Sequence, residues 1–135
     1  MSIVVTNVGK IKALELYLAD PLTLKLYSNN VTPISSKVAG DFTEVIGGGY
    51  ASIILTFAHW IIAGGSPAAG TYDSTKQFTF TGPTTGPGTI YGYFVVDAGG
   101  VLRWAERFPV TPFVPVNGSF IRAIPRFSAG SIFSD

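Results

Sequence analysis

Hydrophobic and polar positions alternate most clearly in residues 89–109, TIYGYFVVDAGGVLRWAERFP, where two β-prone runs flank a glycine pair. Glycine enters the positive-φ conformations that tight hairpin loops require, so this pattern predicts a β-hairpin. A three-residue loop at 98–100 places Phe94 opposite Trp104. A two-residue loop places Gly92 opposite Arg107 and mixes apolar with charged side chains. Because a one-residue slip turns every side chain over, we predict the three-residue loop.

This register gives the hairpin two different faces. The apolar face collects Ile90, Phe94, Val96, Leu102, Trp104 and Phe108. The second face carries Tyr91, Tyr93, Val95, Arg103 and Arg107. Since that second face is only partly polar, we expect further protein to cover it.

The rest of the chain predicts one helix and several short strands. Apolar residues at three- and four-residue spacing predict a helix over 10–19, and Asp20-Pro21 ends it. Strict alternation predicts a half-buried strand over 22–27, with its leucines on one face. The remaining predicted elements are a helical turn at 41–46, a strand covered on both faces at 50–62, a strand at 76–81, an edge arm at 112–116 and a final strand at 119–128.

These elements predict a mainly β fold, an antiparallel sandwich or jelly-roll with one short N-terminal helix. The length of 135 residues predicts a single domain over 1–135. Residues 1–9 are a possible N-terminal arm and residues 129–135 a possible C-terminal tail.

Composition adds a constraint on the surface. Charged residues make up 13% of the chain, against about 25% in an ordinary soluble domain, and hydrophobic residues make up 47%. The most apolar stretch, 51–65, is shorter than the ~20 residues of a membrane span, so we expect no membrane partner. We expect instead that much of the surface contacts other subunits.

Charge and motifs argue against several other functions. The net charge is +1, without a run of like charges, which argues against a nucleic-acid partner. The chain has no cysteine, and its N-terminus lacks the pattern of a secretory leader. The glycines at 47–49 lack the Lys and Ser/Thr of a phosphate-binding loop.

Few residues are candidates for chemistry. His59 is the only histidine, and we interpret it as a structural residue with a hydrogen-bond partner rather than a base or metal ligand. Asp41 and Glu44 are a candidate calcium or acid-base pair, but their spacing favours a capping box with Asp41 at the N-cap. No nucleophile, base and orienting group form a recognisable arrangement, so we predict neither an enzyme nor a cofactor or metal site.

Late arginines lie among aromatic residues, a combination that can stack nucleic-acid bases. We favour pairing of these arginines with Asp97 or Glu106 across subunits. The predicted core, subunit or capsid contacts are Ile54, Phe57, Trp60, Tyr91, Tyr93, Arg103 and Arg107.

Four segments carry a resemblance to a known group of proteins: LTLKLYSNNVTP (22–33), DFTE (41–44), GYA (49–51) and YGYFVVDAGGVLRWAERF (91–108). Together they resemble small virion proteins of tailed bacteriophages, in particular capsid cement or decoration proteins. These motifs are structural, so no catalytic residue is implied.

The resemblance implies a homotrimer that binds the major capsid protein on the outer surface of the virion and stabilises the shell. Such a protein would assemble in the host cytoplasm. The alternative is a tail-fibre, spike or receptor-binding module that exposes an aromatic groove to a host saccharide.

Overall fold

The structure is a computed structural model that describes residues 4–65 and 67–128. The described residues form one α-helix, α1 (Asn7–Leu18), and nine strands: β1 (Leu22–Tyr27), β2 (Ile53–Leu55), β3 (Trp60–Ala63), β4 (Ala69–Tyr72), β5 (Lys76–Thr79), β6 (Gly92–Asp97), β7 (Leu102–Arg107), β8 (Phe120–Ala123) and β9 (Arg126–Ser128). The sheet orders are β2-β1-β6-β7, β3-β4-β9 and β5-β8, and the two larger sheets are antiparallel. This confirms the predicted mainly β fold with one short helix.

The elements are shared between two compact units. The first unit contains α1 and the three-stranded sheet. The second contains the four-stranded sheet and nearly all of β5 and β8, within residues 22–55 and 77–122. The single domain over 1–135 and its sandwich or jelly-roll layering stay predictions. The predicted tail, 129–135, lies outside the described residues.

Helix α1 begins three residues before the predicted start. The Thr6 side-chain oxygen accepts a hydrogen bond from the Gly9 N–H at 3.1 Å, which satisfies one of the donors left over at a helix N-terminus. Residues 7–9 therefore belong to the helix rather than to an arm, and residues 1–3 of the predicted arm are not described. The helix ends at Leu18, close to the predicted end, and it buries Leu14 and Leu18.

Strand β1 matches its predicted bounds and lies between β2 and β6. Its three leucines are buried, as the alternation predicted. Its last residue, Tyr27, packs edge-on against Phe42 at 5.0 Å between ring centroids, and Phe42 stacks on Phe94 at 5.4 Å. This aromatic cluster is part of the core of the second unit.

The prediction of one long strand over 50–62 is wrong. The segment forms β2, a 3-10 turn at Phe57–His59, and β3, which belongs to a different sheet. The turn is fixed by the Thr56 N–H, which donates to the Tyr72 hydroxyl at 3.1 Å. Leu55 and Trp60 are each buried in a different unit, and the chain passes from one sheet to another between them.

The final strand is also shorter than predicted. Residues 119–128 form β8 and β9, which lie in different sheets and are separated by Ile124 and Pro125. Pro125 has no N–H for a ladder, but its carbonyl accepts from the Tyr72 N–H at 2.8 Å. The predicted arm at 112–116 is reduced to a bridge between Ile90 and Phe113.

The predicted helical turn at 41–46 lies earlier, as a 3-10 turn over Ala39–Asp41. Asp41 is its last residue and accepts a hydrogen bond from the Val38 N–H at 2.8 Å. Val38 is therefore the N-cap residue of this turn, and the carboxylate of Asp41, three residues later, accepts its N–H. The predicted capping box with Asp41 at the N-cap and Glu44 three residues later is wrong.

Candidate interaction surface

The hairpin of β6 and β7 combines both registers considered from the sequence. Val96 pairs with Leu102, as the three-residue loop predicts, but Gly92 pairs with Arg107, as the rejected loop predicts. A β-bulge between Val95 and Val96 reconciles the two, because Arg103 is an extra residue in β7. The predicted register is therefore right beside the loop and wrong beyond the bulge.

The bulge also changes which side chains share a face. Trp104 pairs with Val95, while Ala105 pairs with Phe94. Ala105 and Leu102 pack against the aromatic core cluster. Trp104 therefore lies on the face opposite Phe94, contrary to the prediction, and Val95 on that opposite face is fully buried.

Asp97 organises the hairpin loop. One of its carboxylate oxygens accepts from the N–H groups of Gly99 and Val101 at 2.9 and 3.0 Å, and the other accepts from Arg103 Nε at 3.1 Å. The Val101 N–H, together with these other donors, lowers the pKa of Asp97. The predicted pairing of Arg103 with Asp97 across subunits is wrong, because the pair forms within one hairpin.

Arg107 also has partners within the chain. Its guanidinium lies 5.0 Å from the centre of the Tyr91 ring and donates to Asn30 Oδ1 at 2.8 Å and to the Val31 carbonyl at 3.2 Å. Tyr91 packs against the aromatic core cluster. Arg107 thus holds the loop at 30–31 against the hairpin, and Tyr91 contacts Arg107 and the core cluster.

Tyr93 is half-buried on the face opposite Phe94. Its hydroxyl donates to Glu106 Oε2 at 2.7 Å, and burial together with this carboxylate raises the pKa of Tyr93. Its partner across the strand pair is again Glu106. Tyr93 therefore joins the two strands of the hairpin.

The three predicted contact residues of the 50–62 segment differ in burial. Trp60 is 7% exposed and packs edge-on against Tyr72 at 5.1 Å, so it is a core residue of the first unit. Ile54 on β2 is 64% exposed and Phe57 is 43% exposed. These two are open for contact with another molecule, and within one chain the two faces of this segment are not both covered.

His59 has the hydrogen-bond partner that we expected of a structural histidine. Its Nδ1 lies 2.8 Å from Asp73 Oδ2, and both side chains are exposed. The hydrogen bond from His59 lowers the pKa of Asp73. A backbone hydrogen bond joins the same two residues, because the Asp73 N–H donates to the His59 carbonyl at 2.9 Å. The pair therefore joins the 3-10 turn at Phe57–His59 to the end of β4.

Glu44 takes part in a polar network of the second unit. Tyr50 donates its hydroxyl proton to Glu44 Oε2 at 2.8 Å and accepts the Leu26 N–H at 3.2 Å, while Lys25 pairs with Glu44 at 3.2 Å. Burial raises the pKa of Tyr50. Glu44 thus connects β1 to the segment after the glycines, while Asp41 bonds to the Val38 N–H.

Sequence reasoning missed an apolar groove in the second unit. The groove has a volume of about 290 Å³ and is lined by Phe108, Pro109, Val110, Phe113, Phe120, Ile121 and Arg122. Val110 is 82% exposed, and the Arg122 guanidinium lies 4.4 Å from the centre of the Phe120 ring. The available signal was the run of apolar residues and prolines at 108–116, which is too apolar for a loop surrounded by water.

A second concave feature, the edge cleft, follows the outer side of β7. It has a volume of about 350 Å³ and is lined by Pro33, Ile34, Ser35, Lys37, Phe42, Leu102, Arg103, Trp104 and Ala105. A neighbouring cavity of about 350 Å³ at the hairpin tip shares Lys37 and Leu102 with it. The only predicted contact residue in this lining is Arg103.

Among residues 4–65 and 67–128, no group of three or more His, Asp or Glu side chains could hold a metal ion. No helix within those residues is long and apolar enough to cross a membrane. Comparisons of the chain with protein-family models, with curated proteins and with solved structures found no match.

Proposed function

We propose that this protein is a bacteriophage capsid cement protein, a homotrimer that binds the major capsid protein on the virion surface and stabilises the shell. The observation that carries this proposal is the apolar groove, in a chain whose charged fraction is only 13%. Extended apolar surface on a soluble protein is typical of an interaction site. The resemblance of the chain to small virion proteins supports the setting.

The groove is suited to contact between subunits. Its Phe113 packs against the buried Phe80 ring at 6.0 Å, so the groove floor is anchored to the core of the second unit. A rigid apolar floor with an exposed rim at Val110 and Phe120 binds a complementary surface at a small cost in side-chain entropy. We assign this groove to the contact between copies of the chain.

Mechanistically, binding alone performs the proposed role. Each copy buries apolar surface against the shell. Many copies on one shell act together, because once one contact has formed, the contacts linked to it form at a higher effective concentration. Ile54 and Phe57 are further exposed side chains available for such contacts. The proposal requires no catalytic group.

The direct test mixes the purified protein with capsids that lack it and images them by cryo-electron microscopy. We expect density at the junctions between capsomers. Sedimentation equilibrium at micromolar concentration should give the mass of three chains. A monomer in sedimentation would contradict the trimer, and capsids without added density would contradict the cement role.

The alternative, a tail-fibre or receptor-binding module, is favoured by one observation. Three phenylalanine rings and a stacked arginine line the apolar groove, and such rings can bind the apolar face of a saccharide. The same samples distinguish the two functions. Binding to host cells without binding to capsids would support the module.

A further inference from the structure

We propose that the edge cleft binds an extended, largely apolar segment of a partner protein by β-strand addition to β7, and that a carboxylate in this segment pairs with Lys37. This inference rests on the proposed function in one respect, since it takes the shell protein as the source of the segment. It concerns a surface separate in its lining residues from the apolar groove.

The backbone of β7 provides the first part of the argument. β7 is the last strand in the order β2-β1-β6-β7 and spans six residues, Leu102–Arg107. An edge strand directs a row of N–H and C=O groups away from its sheet, and an extended peptide can pair with them. The bulge at Arg103 interrupts regular pairing at one end of β7, so we expect the segment to pair regularly along residues 104–107 and to continue past the bulge to Leu102.

The side chains around β7 provide the second part. The cleft has a buried apolar floor at Phe42, and the neighbouring cavity lies along the same strand at Leu102. The apolar side chains at their rims, Ile34, Val38 and Val101, are each about 60% exposed. Alternate residues of a strand point to the same side, so two apolar side chains of one bound segment can occupy the two cavities.

Charge defines the chemistry of the segment. Lys37 lines both cavities, and no carboxylate side chain lines either of them. In the described part of the chain, Lys37 forms no ion pair, whereas Arg103 pairs with Asp97. A cation in a half-buried cleft favours a ligand that brings a negative charge, because the charge pair is less screened there than in water.

The test uses the full chain and synthetic peptides of about six residues, blocked at both ends, with alternating valine and threonine and one glutamate. A second peptide replaces the glutamate with lysine. Two further peptides carry N-methyl groups on the odd or on the even residues. Binding is followed by isothermal titration calorimetry and by amide chemical shifts of β7.

We expect the glutamate peptide to shift the β7 amides and to bind at least about 10-fold more tightly than the lysine peptide. Only one of the two N-methylated peptides should bind, because an added strand pairs through alternate residues. The K37E variant should reverse the preference for charge. Lys12→Glu, at an exposed position of α1, is the matched control and should leave binding unchanged.

Three results would overturn the inference: no shift of β7 amides at millimolar peptide, equal binding of both N-methylated peptides, or an unchanged charge preference in K37E. The outcomes of this peptide test can be distinguished from those of the capsid test of the proposed function. Capsid density without peptide binding removes this inference alone. Peptide binding without capsid density removes the cement role alone.

Discussion

Gly92 is a position of the hairpin that leaves no room for a side chain. A Cβ at this position would overlap the Glu106 carbonyl oxygen and lie 2.6 Å from the Tyr27 hydroxyl and 2.7 Å from its ring. Gly92 is therefore needed for close approach, because the backbone of β7 and a buried ring occupy the space of a side chain. The sequence shows a glycine between two tyrosines but not the ring that packs against it.

We predict that Gly92→Ala lowers the free energy of unfolding by about 2–3 kcal/mol, because neither the backbone nor the buried ring can move freely. Urea unfolding measures the change. Gly40→Ala is the control, since a Cβ there meets nothing within 4 Å, and we expect at most a small stabilisation. Equal effects of the two substitutions would contradict the steric explanation.

Asp97 gives a prediction for pH. Its pKa is lowered in the folded chain, so the unfolded chain binds the proton more readily and stability rises with pH across this range. The contribution of Asp97 is complete above the ordinary carboxyl pKa of about 4. It is lost as the pH falls through the lower, folded value.

Asp97→Asn should therefore reduce stability at pH 7 and make the loss of stability in acid shallower than in the parent chain. The free energy of unfolding, measured in urea at a series of pH values from neutral to acid, gives both slopes. Parallel slopes in the two chains would show that the contacts of Asp97 do not control its titration.

At the scale of elements, the sequence predicted the ends of helices and strands correctly where the signal lay in residues next to the end. The end of α1 follows from Asp20-Pro21, and the bounds of β1 follow from its alternation. The signal failed for the segments 50–62 and 119–128, each of which the structure divides between two sheets. A β-prone composition does not say which sheet a strand joins.

The cap of α1 gives the prediction at this scale. Thr6→Ala should cost about 1 kcal/mol of stability, because the Gly9 N–H loses its acceptor. Thr6→Ser keeps a side-chain oxygen in place and should stay close to the parent. Thermal unfolding compares the three chains, and a serine variant as unstable as the alanine variant would argue against capping.

At the scale of the whole molecule, the proposed association of copies depends on exposed apolar residues. Val110 in the apolar groove is 82% exposed, and Val8 on α1 is 78% exposed. Exposure alone does not distinguish them. Val110 lines the apolar groove, so it is placed to contact a complementary surface.

We predict that Val110→Asp weakens trimer formation about 10-fold or more, since it buries a charge in an apolar contact. Val8→Asp is the matched control. An aspartate in the first turn of a helix is favourable, so this variant should fold and assemble as the parent does. Sedimentation equilibrium measures both, and equal assembly of the two variants would exclude the groove as the subunit contact.

The candidate sites show the same limit of sequence reasoning. Of the seven predicted contact residues, Trp60 is in a core, the four hairpin residues have partners within the chain, and only Ile54 and Phe57 are exposed. The groove and the edge cleft were not predicted. The edge cleft brings together segments that are distant in sequence, 33–37 and 102–105, and the groove joins 108–113 to 120–122.

The sequence by itself determined the mainly β class, the helix end, strand β1 and the presence of the hairpin, because these depend on periodicity and turn residues within a few positions. It also determined that the chain carries little charge. Only the tertiary structure decided the bulge at Arg103, the division of the two long β-prone runs and the lining of both concave surfaces. These depend on which distant segments compete for the same backbone groups and the same buried space.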